Sequence, residues 1–325
     1  MTGLLLAFAG LLAAGAIWHR LSLAHELRRP LASGRMVDAG GHRVHLVTEG
    51  ESQPGPTVVL ECGIAGPTSA SWAWVRRGVE RFAPVVAYDR AGLGRSEPGP
   101  LPRDGRTIAR ELRAALANAG IAPPYVFVGH SFGGLIARIF TAEFPADVVG
   151  VVLVDSTHPQ QLRRPVISHW YDSVRALLKV EPVASSVGLV RAIIQLTHVP
   201  ARNLPEPERT EQLGYLSGES HWRGVEREFD SWATLTAPQA AACLSLGPRP
   251  LVVITAGLSI KHWPGWTGFQ AELARLSPDA EQRLFPGADH ALLVVDQTQS
   301  REVVKAVHDV VTAVRERRPL SARQG

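Results

Sequence analysis

The sequence predicts an α/β fold: a mostly parallel, doubly wound sheet, interrupted by a helical insertion and preceded by an apolar helix. Three observations predict it. Short runs rich in β-branched residues alternate with amphipathic helical patterns. Gly129-His130-Ser131-Phe132-Gly133 joins one such strand directly to a helix. The alternation stops between about residues 159 and 248 and then resumes.

Taken in order, Gly3 to Trp18 is almost wholly apolar and uncharged, and Arg20, Arg28 and Arg29 follow. This falls a little short of the roughly 20 residues of a typical span, which flanking side chains can make up by snorkelling. We read it as an uncleaved membrane anchor. The charge excess behind it keeps the remaining chain cytoplasmic by the positive-inside rule. Ala14-Gly15-Ala16 resembles a cleavage site, which leaves open a signal peptide and a secreted or periplasmic product. An apolar helix docked on a soluble domain is the third reading. Residues 20–34 are a polar, Arg-rich stretch ending in Pro30 and Gly34, so 1–34 is taken as anchor and linker.

The first part of the core, 35–158, holds strands at Arg43 to Thr48, Thr57 to Cys62, Val85 to Asp89, Tyr125 to Val128 and Val148 to Val154. Helical spacing appears at Ile108, Leu112, Ala115, Leu116 and Ala119, and again at Leu135, Ile136, Ile139, Phe140 and Phe144 until Pro145. Residues 159–248 carry several helix-like stretches and turns at Pro200, Pro205 and Pro207, and read as a helical cap. Within it Trp222, Val225, Phe229 and Trp232 form a narrow aromatic stripe. The second part of the core, 249–318, has strands at Leu251 to Thr255 and Glu281 to Phe285. A last helix follows, with Val303, Val304, Val307, Val310, Val311 and Val314 on one side. Residues 319–325 read as a disordered tail.

Composition narrows the function classes. With 45% hydrophobic and 20% charged residues, the chain is globular. The net charge of +4 and pI near 9.4 suggest a basic patch, but the arginines are spread along the chain. Arg315, Arg317 and Arg318 merely end the last helix, and no basic stripe interleaves with aromatics, so nucleic acid is not an expected partner. Cys62 and Cys243 are too few for a disulfide framework. The sequence has no P-loop, no H-E-x-x-H and no third glycine after Gly92-Leu93-Gly94, so neither metal nor cofactor is expected.

The chemistry centres on Ser131. A strand turning sharply into a helix strains its turn residue and lifts the serine Oγ out at the sheet edge, with Gly129 and Gly133 allowing close backbone approach. A serine hydroxyl needs a base to take its proton as it attacks. Gly287-Ala288-Asp289-His290 follows the final strand and precedes an apolar run, which puts His290 at the carboxyl edge where open α/β sheets bind ligands. His130 lies inside the turn and reads as structural; His42 and His45 lie far upstream.

These stretches resemble the α/β-hydrolase superfamily, and within it esterase-like members with a helical cap. The resemblance covers about residues 35–316. It rests on Gly129 to Gly134, on Gly287-Ala288-Asp289-His290, and on Tyr88-Asp89-Arg90-Ala91-Gly92-Leu93-Gly94-Arg95-Ser96, which resembles the loop after the fourth strand. The resemblance implies a shaping role for Asp89 and an order of serine, acid, histidine. Many relatives carry the acid after the penultimate strand, but here Ala256 to His262 contains no carboxylate. Others carry it one strand earlier, where this chain has Asp155. Asp155 is therefore the expected acid, with tethering of the cap's first turn as its competing role. Asp289, next to His290 in sequence, is poorly placed to orient that ring. The backbone N–H of Phe132 is the first expected oxyanion donor. Where relatives often read His-Gly-x, this chain reads Cys62-Gly63-Ile64, so Ile64 N–H is the expected second donor.

With serine rather than aspartate at the turn, the expected reaction is cleavage of a small ester-like substrate through an acyl-enzyme, not dehalogenase or epoxide hydrolase chemistry. Trp222, Phe229 and Trp232 either line an apolar pocket or pack the cap onto the core. Peptidase, thioesterase or carbon–carbon bond hydrolase activity would use the same three residues, and a non-catalytic binding protein is the alternative from another class.

Overall fold

The computed structural model describes residues 2–28, 33–197 and 201–320. Pro200 and residues 321–325 of the expected tail lie outside the described residues. Eight strands form one sheet in the order β1-β2-β4-β3-β5-β6-β7-β8. They are β1 Arg35–Asp38, β2 Arg43–Glu49, β3 Thr57–Glu61, β4 Val85–Tyr88, β5 Tyr125–His130, β6 Val148–Val154, β7 Leu251–Ala256 and β8 Ala280–Phe285. β1 and β2 enter antiparallel and the other pairings are parallel. The sequence reading lacked β1, whose four residues show no clear alternation.

Continuous apolar strands reflect a sheet buried on both faces. In β5, Tyr125 and Phe127 join one core cluster while Val126 and Val128 join the other. β6 and β7 divide the same way, with Leu153 and Val253 on one face, Val152 and Val252 on the other. The first face is covered by α3 (Gly105–Asn118), α4 (Gly133–Glu143) and the cap. The second is covered by α2 (Ala73–Val79) and α14 (Ser300–Glu316), whose valine stripe is fully buried at Val303, Val307, Val310 and Val311.

The cap is inserted between β6 and β7. Its helices are α5 Pro165–Leu178, α6 Glu181–Ser186, α7 Leu189–Thr197, α8 Glu208–Leu216, α9 Glu219–Ser231 and α10 Ala237–Ala241, with a π-helical turn at Trp232–Thr236. After β7 come α11 (Gly257–His262) and α12 (Trp266–Ala274), and α13 (Leu292–Val295) follows β8.

Two expectations are corrected. The Arg-rich stretch read as a linker from residue 20 is helical as far as Arg28, because α1 runs over Thr2–Arg28. Its polar residues are good helix formers, and no glycine or proline interrupts them before Pro30. The tail reading also fails at Leu320, which is buried and whose N–H donates to Asp279 Oδ1 at 2.9 Å. Among the described residues, one helical segment, Thr2–His25, is long and apolar enough to cross a membrane.

Candidate active site

Strand register brings the site together. Glu61 pairs with Gly129, His130 with Val154, Val154 with Ile254, and Ala256 with Phe285, so β3, β5, β6, β7 and β8 end along one edge. Ser131 N–H donates to Val154 O at 3.1 Å and Asp155 N–H to Ile254 O at 2.7 Å, which sets the two residues on neighbouring strand ends.

Ser131 sits in the left-handed region at φ 52°, a conformation that costs a non-glycine residue about 1–3 kcal/mol and persists only where packing over-determines it. That packing is visible. A Cβ on Gly129 would stand 2.5 Å from Gly133 O, and one on Gly133 would stand 2.4 Å from Glu61 O. The glycines let α4 begin against the ends of β3 and β5. Phe132 is fully buried and immediately precedes α4, and that position puts its backbone at the positive end of the helix.

Asp155 is fully buried and also left-handed, at φ 42°. Its Oδ2 lies 2.6 Å from His290 Nδ1 and accepts the Ser259 hydroxyl. Its Oδ1 accepts Ala256 N–H at 3.0 Å and Trp266 Nε1–H at 2.8 Å. Burial pushes this carboxyl up, but hydrogen bonds from His290, Ser259 and Trp266 outweigh it and hold the carboxyl below the usual carboxylate range. Asp289 does not reach the ring; it accepts the N–H groups of Ala291 and Leu292, capping the turn into α13.

His130 is the floor of the site. Its ring lies 4.6 Å from that of His290, and its Nε2 is 2.9 Å from the His290 carbonyl oxygen. Burial, reinforced by the neighbouring His290, depresses it to about 3, so it stays neutral. His45 is buried elsewhere, with Nδ1 3.1 Å from Asp89. Asp89 also accepts Ser69 and Arg95 N–H groups, which fixes the loop after β4. Cys62 is buried, which pushes its thiol well above the ordinary range.

Ser131 and His290 line one cleft of about 200 Å³. Gly63, Ile64 and Ala65 form one wall, Val294 and Val295 another, and Leu204, Gln212 and Leu216 close it from the cap. Gln212 ties the cap down, donating to Gly66 O at 2.9 Å and accepting the Thr68 hydroxyl at 2.7 Å. The aromatic stripe stands elsewhere. Phe229 and Trp232 do not line the cleft; they are buried with Tyr171 in the main core, and Trp232 meets the Phe132 ring edge-on at 5.6 Å. Large flat rings bury most area by packing between layers, so for Phe229 and Trp232 the pocket reading gives way to the packing one. Trp222 is half-buried and lines a separate groove, together with Leu216 and Ala65.

Arg90, Ser259 and Trp266 support the site in ways that no local pattern reveals. The Arg90 guanidinium donates to Glu61 Oε1 and Cys62 O at 2.8 Å, to Gly63 O at 2.7 Å, and twice to the Glu228 carboxylate of α9 at 2.7 and 2.8 Å. All five of its donors are used, and it lies 5.6 Å from the Phe132 ring. It thus braces the loop carrying Ile64 and fastens the cap to it. Arg90 stands in the stretch that carried the family resemblance, but its partners are distant in sequence. Ser259 and Trp266 likewise meet a partner, Asp155, that is distant in sequence. No group of three or more potential metal ligands occurs among the described residues.

The profile of the alpha/beta hydrolase fold matches residues 56–296. Among curated proteins, an "AB hydrolase superfamily protein" of Gibberella zeae is 36% identical over 117 residues, 35% of this chain and 36% of that protein. An uncharacterized vacuolar membrane protein of Saccharomyces cerevisiae is 33% identical over 120 residues, 36% of this chain and 19% of that protein. These matches span well under half the length of those relatives. Among solved structures, a thermophilic esterase from Thermogutta terrifontis superposes with a TM-score of 0.64 at 19% identity, covering 87% of this chain and 99% of that one. The epoxide hydrolase CorEH gives 0.64 at 18% identity, covering 86% and 98%. At such identities these two likenesses speak to fold alone. The sheet order, the turn at Ser131 and the match over 56–296 agree, and the chain belongs to the α/β-hydrolase family.

Proposed function

We propose that the protein is a serine hydrolase that cleaves a carboxylic ester with an apolar acyl or alcohol group. The observation that carries this reading is the buried Asp155 carboxylate on His290 Nδ1, at 2.6 Å, in the cleft that also holds Ser131. With Nδ1 committed to the carboxylate, Nε2 is the ring nitrogen left to accept a proton. In this reading Ser131 Oγ attacks the ester carbonyl while its proton passes to His290 Nε2. The Asp155 charge stabilises the imidazolium. The oxyanion is held by the Phe132 and Ile64 N–H groups, and collapse expels the alcohol, which takes the proton from Nε2. A water molecule, deprotonated by the same nitrogen, then releases the acid and restores Ser131. Serine rather than aspartate at position 131 separates this route from the alkyl-enzyme route. Leu204, Leu216, Val294 and Val295 around the cleft favour an apolar substrate.

In the same reading α1 anchors the protein in a membrane, and the arginines behind it keep the hydrolase domain cytoplasmic. The Thr2–His25 segment and the vacuolar membrane relative support the anchor. A fluorophosphonate probe tests the chemistry. Wild type is expected to be labelled and to hydrolyse p-nitrophenyl butyrate, while Ser131→Ala loses label and at least about a thousandfold in kcat. A labelled or active Ser131→Ala protein refutes the mechanism.

A further inference from the structure

The anchor helix does not stand clear of the fold. Residues 2–14 of α1 are exposed along their whole circumference, whereas Gly15, Ala16, His19, Ser22 and Leu23 turn one side to the cap. A Cβ on Gly15 would stand 2.4 Å from Val187 O, and Arg191 Nε donates to the buried His19 Nδ1 at 3.4 Å. The segment apolar enough to cross a membrane runs from Thr2 to His25, past these free residues and through the turns of α1 that are packed on the cap. Cap surface beside those turns then enters the membrane boundary with them.

That surface is mainly apolar, with Lys179 and Glu181 as the charged residues among its leucines and valines. Leu177, Val180, Val183, Leu189, Ile193 and Leu196 are all more than half exposed, Leu196 at 84%. On α7, Leu189, Ile193 and Leu196 widen the apolar face that buries Val190 and Ile194 and carry it out into the solvent, which water does not favour. Between these residues runs a groove of about 360 Å³. Ala65 and Leu216 line both this groove and the cleft that holds Ser131, so the two spaces adjoin.

We propose that α6 and α7 dock into the lipid surface beside the anchor, and that the groove admits to Ser131 an ester dissolved in the bilayer. This rests on the hydrolase and anchor readings above and specifies their substrate as a membrane-borne, lipophilic ester. The occupant is lipid rather than a protein partner, because the patch continues the flank of a helix that is itself apolar enough to cross a membrane.

The test uses the full chain reconstituted in phosphatidylcholine vesicles. Val183→Asp/Leu196→Asp alters the patch but neither the groove lining nor the cleft. It is expected to leave hydrolysis of water-soluble p-nitrophenyl butyrate unchanged and to lower hydrolysis of bilayer-dissolved p-nitrophenyl palmitate at least tenfold. Equal palmitate rates in variant and wild type overturn the proposal. An environment-sensitive fluorophore on Leu196→Cys reads the docking independently of activity: its emission is expected to shift to the blue with vesicles, and an unshifted emission overturns the docking even if the double variant misfolds. Full-length protein that stays out of the vesicle fraction overturns the anchor and the docking together, whereas vesicle-bound protein with an unshifted label overturns the docking alone. Failure of the Ser131 chemistry shows separately, as butyrate hydrolysis that survives Ser131→Ala.

Discussion

Replacing Asp155 by asparagine changes one atom and tests the site's logic most directly. Oδ1 sits against two groups that can only donate, Ala256 N–H at 3.0 Å and Trp266 Nε1–H at 2.8 Å. The asparagine carbonyl oxygen must therefore take the Oδ1 place, and its NH2 group must face His290 Nδ1 and the Ser259 hydroxyl. An amide N–H donating to Nδ1 forces the ring proton onto Nε2, the nitrogen that has to receive the Ser131 proton. Both the wrong tautomer and the lost negative charge act on the transition state rather than on substrate binding. We expect kcat for p-nitrophenyl butyrate to fall by about three to four decades, roughly 4–5.5 kcal/mol, with KM little changed. Folding is expected to suffer less, by about 1–3 kcal/mol, because the hydroxyl of Ser259 can rotate to accept from the amide. Steady-state rates and urea unfolding measure the two separately. An Asp155→Asn protein with kcat within about tenfold of wild type but sharply reduced stability would falsify the orienting role and leave Asp155 as a tether for the cap.

Three further outcomes are expected. His130 titrates near 6.5 when unfolded and near 3 when folded, so the unfolded chain alone takes up a proton in that window and stability declines as pH falls through it; in His130→Gln the melting temperature should fall less steeply between pH 6.5 and 4.5, and parallel curves would refute this. Arg90→Lys offers three donors where five are used, leaving the buried Glu61 and Glu228 short of partners; a loss of about 3–5 kcal/mol in urea unfolding, with reduced kcat, is expected, and an unshifted midpoint contradicts the bracing role. Trp232→Ala should cost about 3–5 kcal/mol through the cavity it leaves between cap and core, while the preference among acyl chain lengths stays as in wild type; an altered preference would restore that residue to the pocket.

Local pattern alone determined a good deal of this protein. Strands buried on both faces must be apolar throughout, and a serine between two close-packed glycines must join strand to helix, so the sheet, Ser131 and the place of His290 were all legible in the chain. The apolar N-terminal helix was legible too, although its continuation to Arg28 was not, because charged helix formers resemble a linker when read by polarity. The short strand Arg35–Asp38 escaped because its pairing with β2, not its own composition, makes it a strand. What only the tertiary structure decided were relations between residues far apart in sequence: the four hydrogen bonds that hold Asp155, the five that fill Arg90, and the burial of Phe229 and Trp232 away from the cleft. An amphipathic stripe states that a face is buried and not against what, because periodicity arises from one element whereas a pocket or an ion network arises from the packing of several.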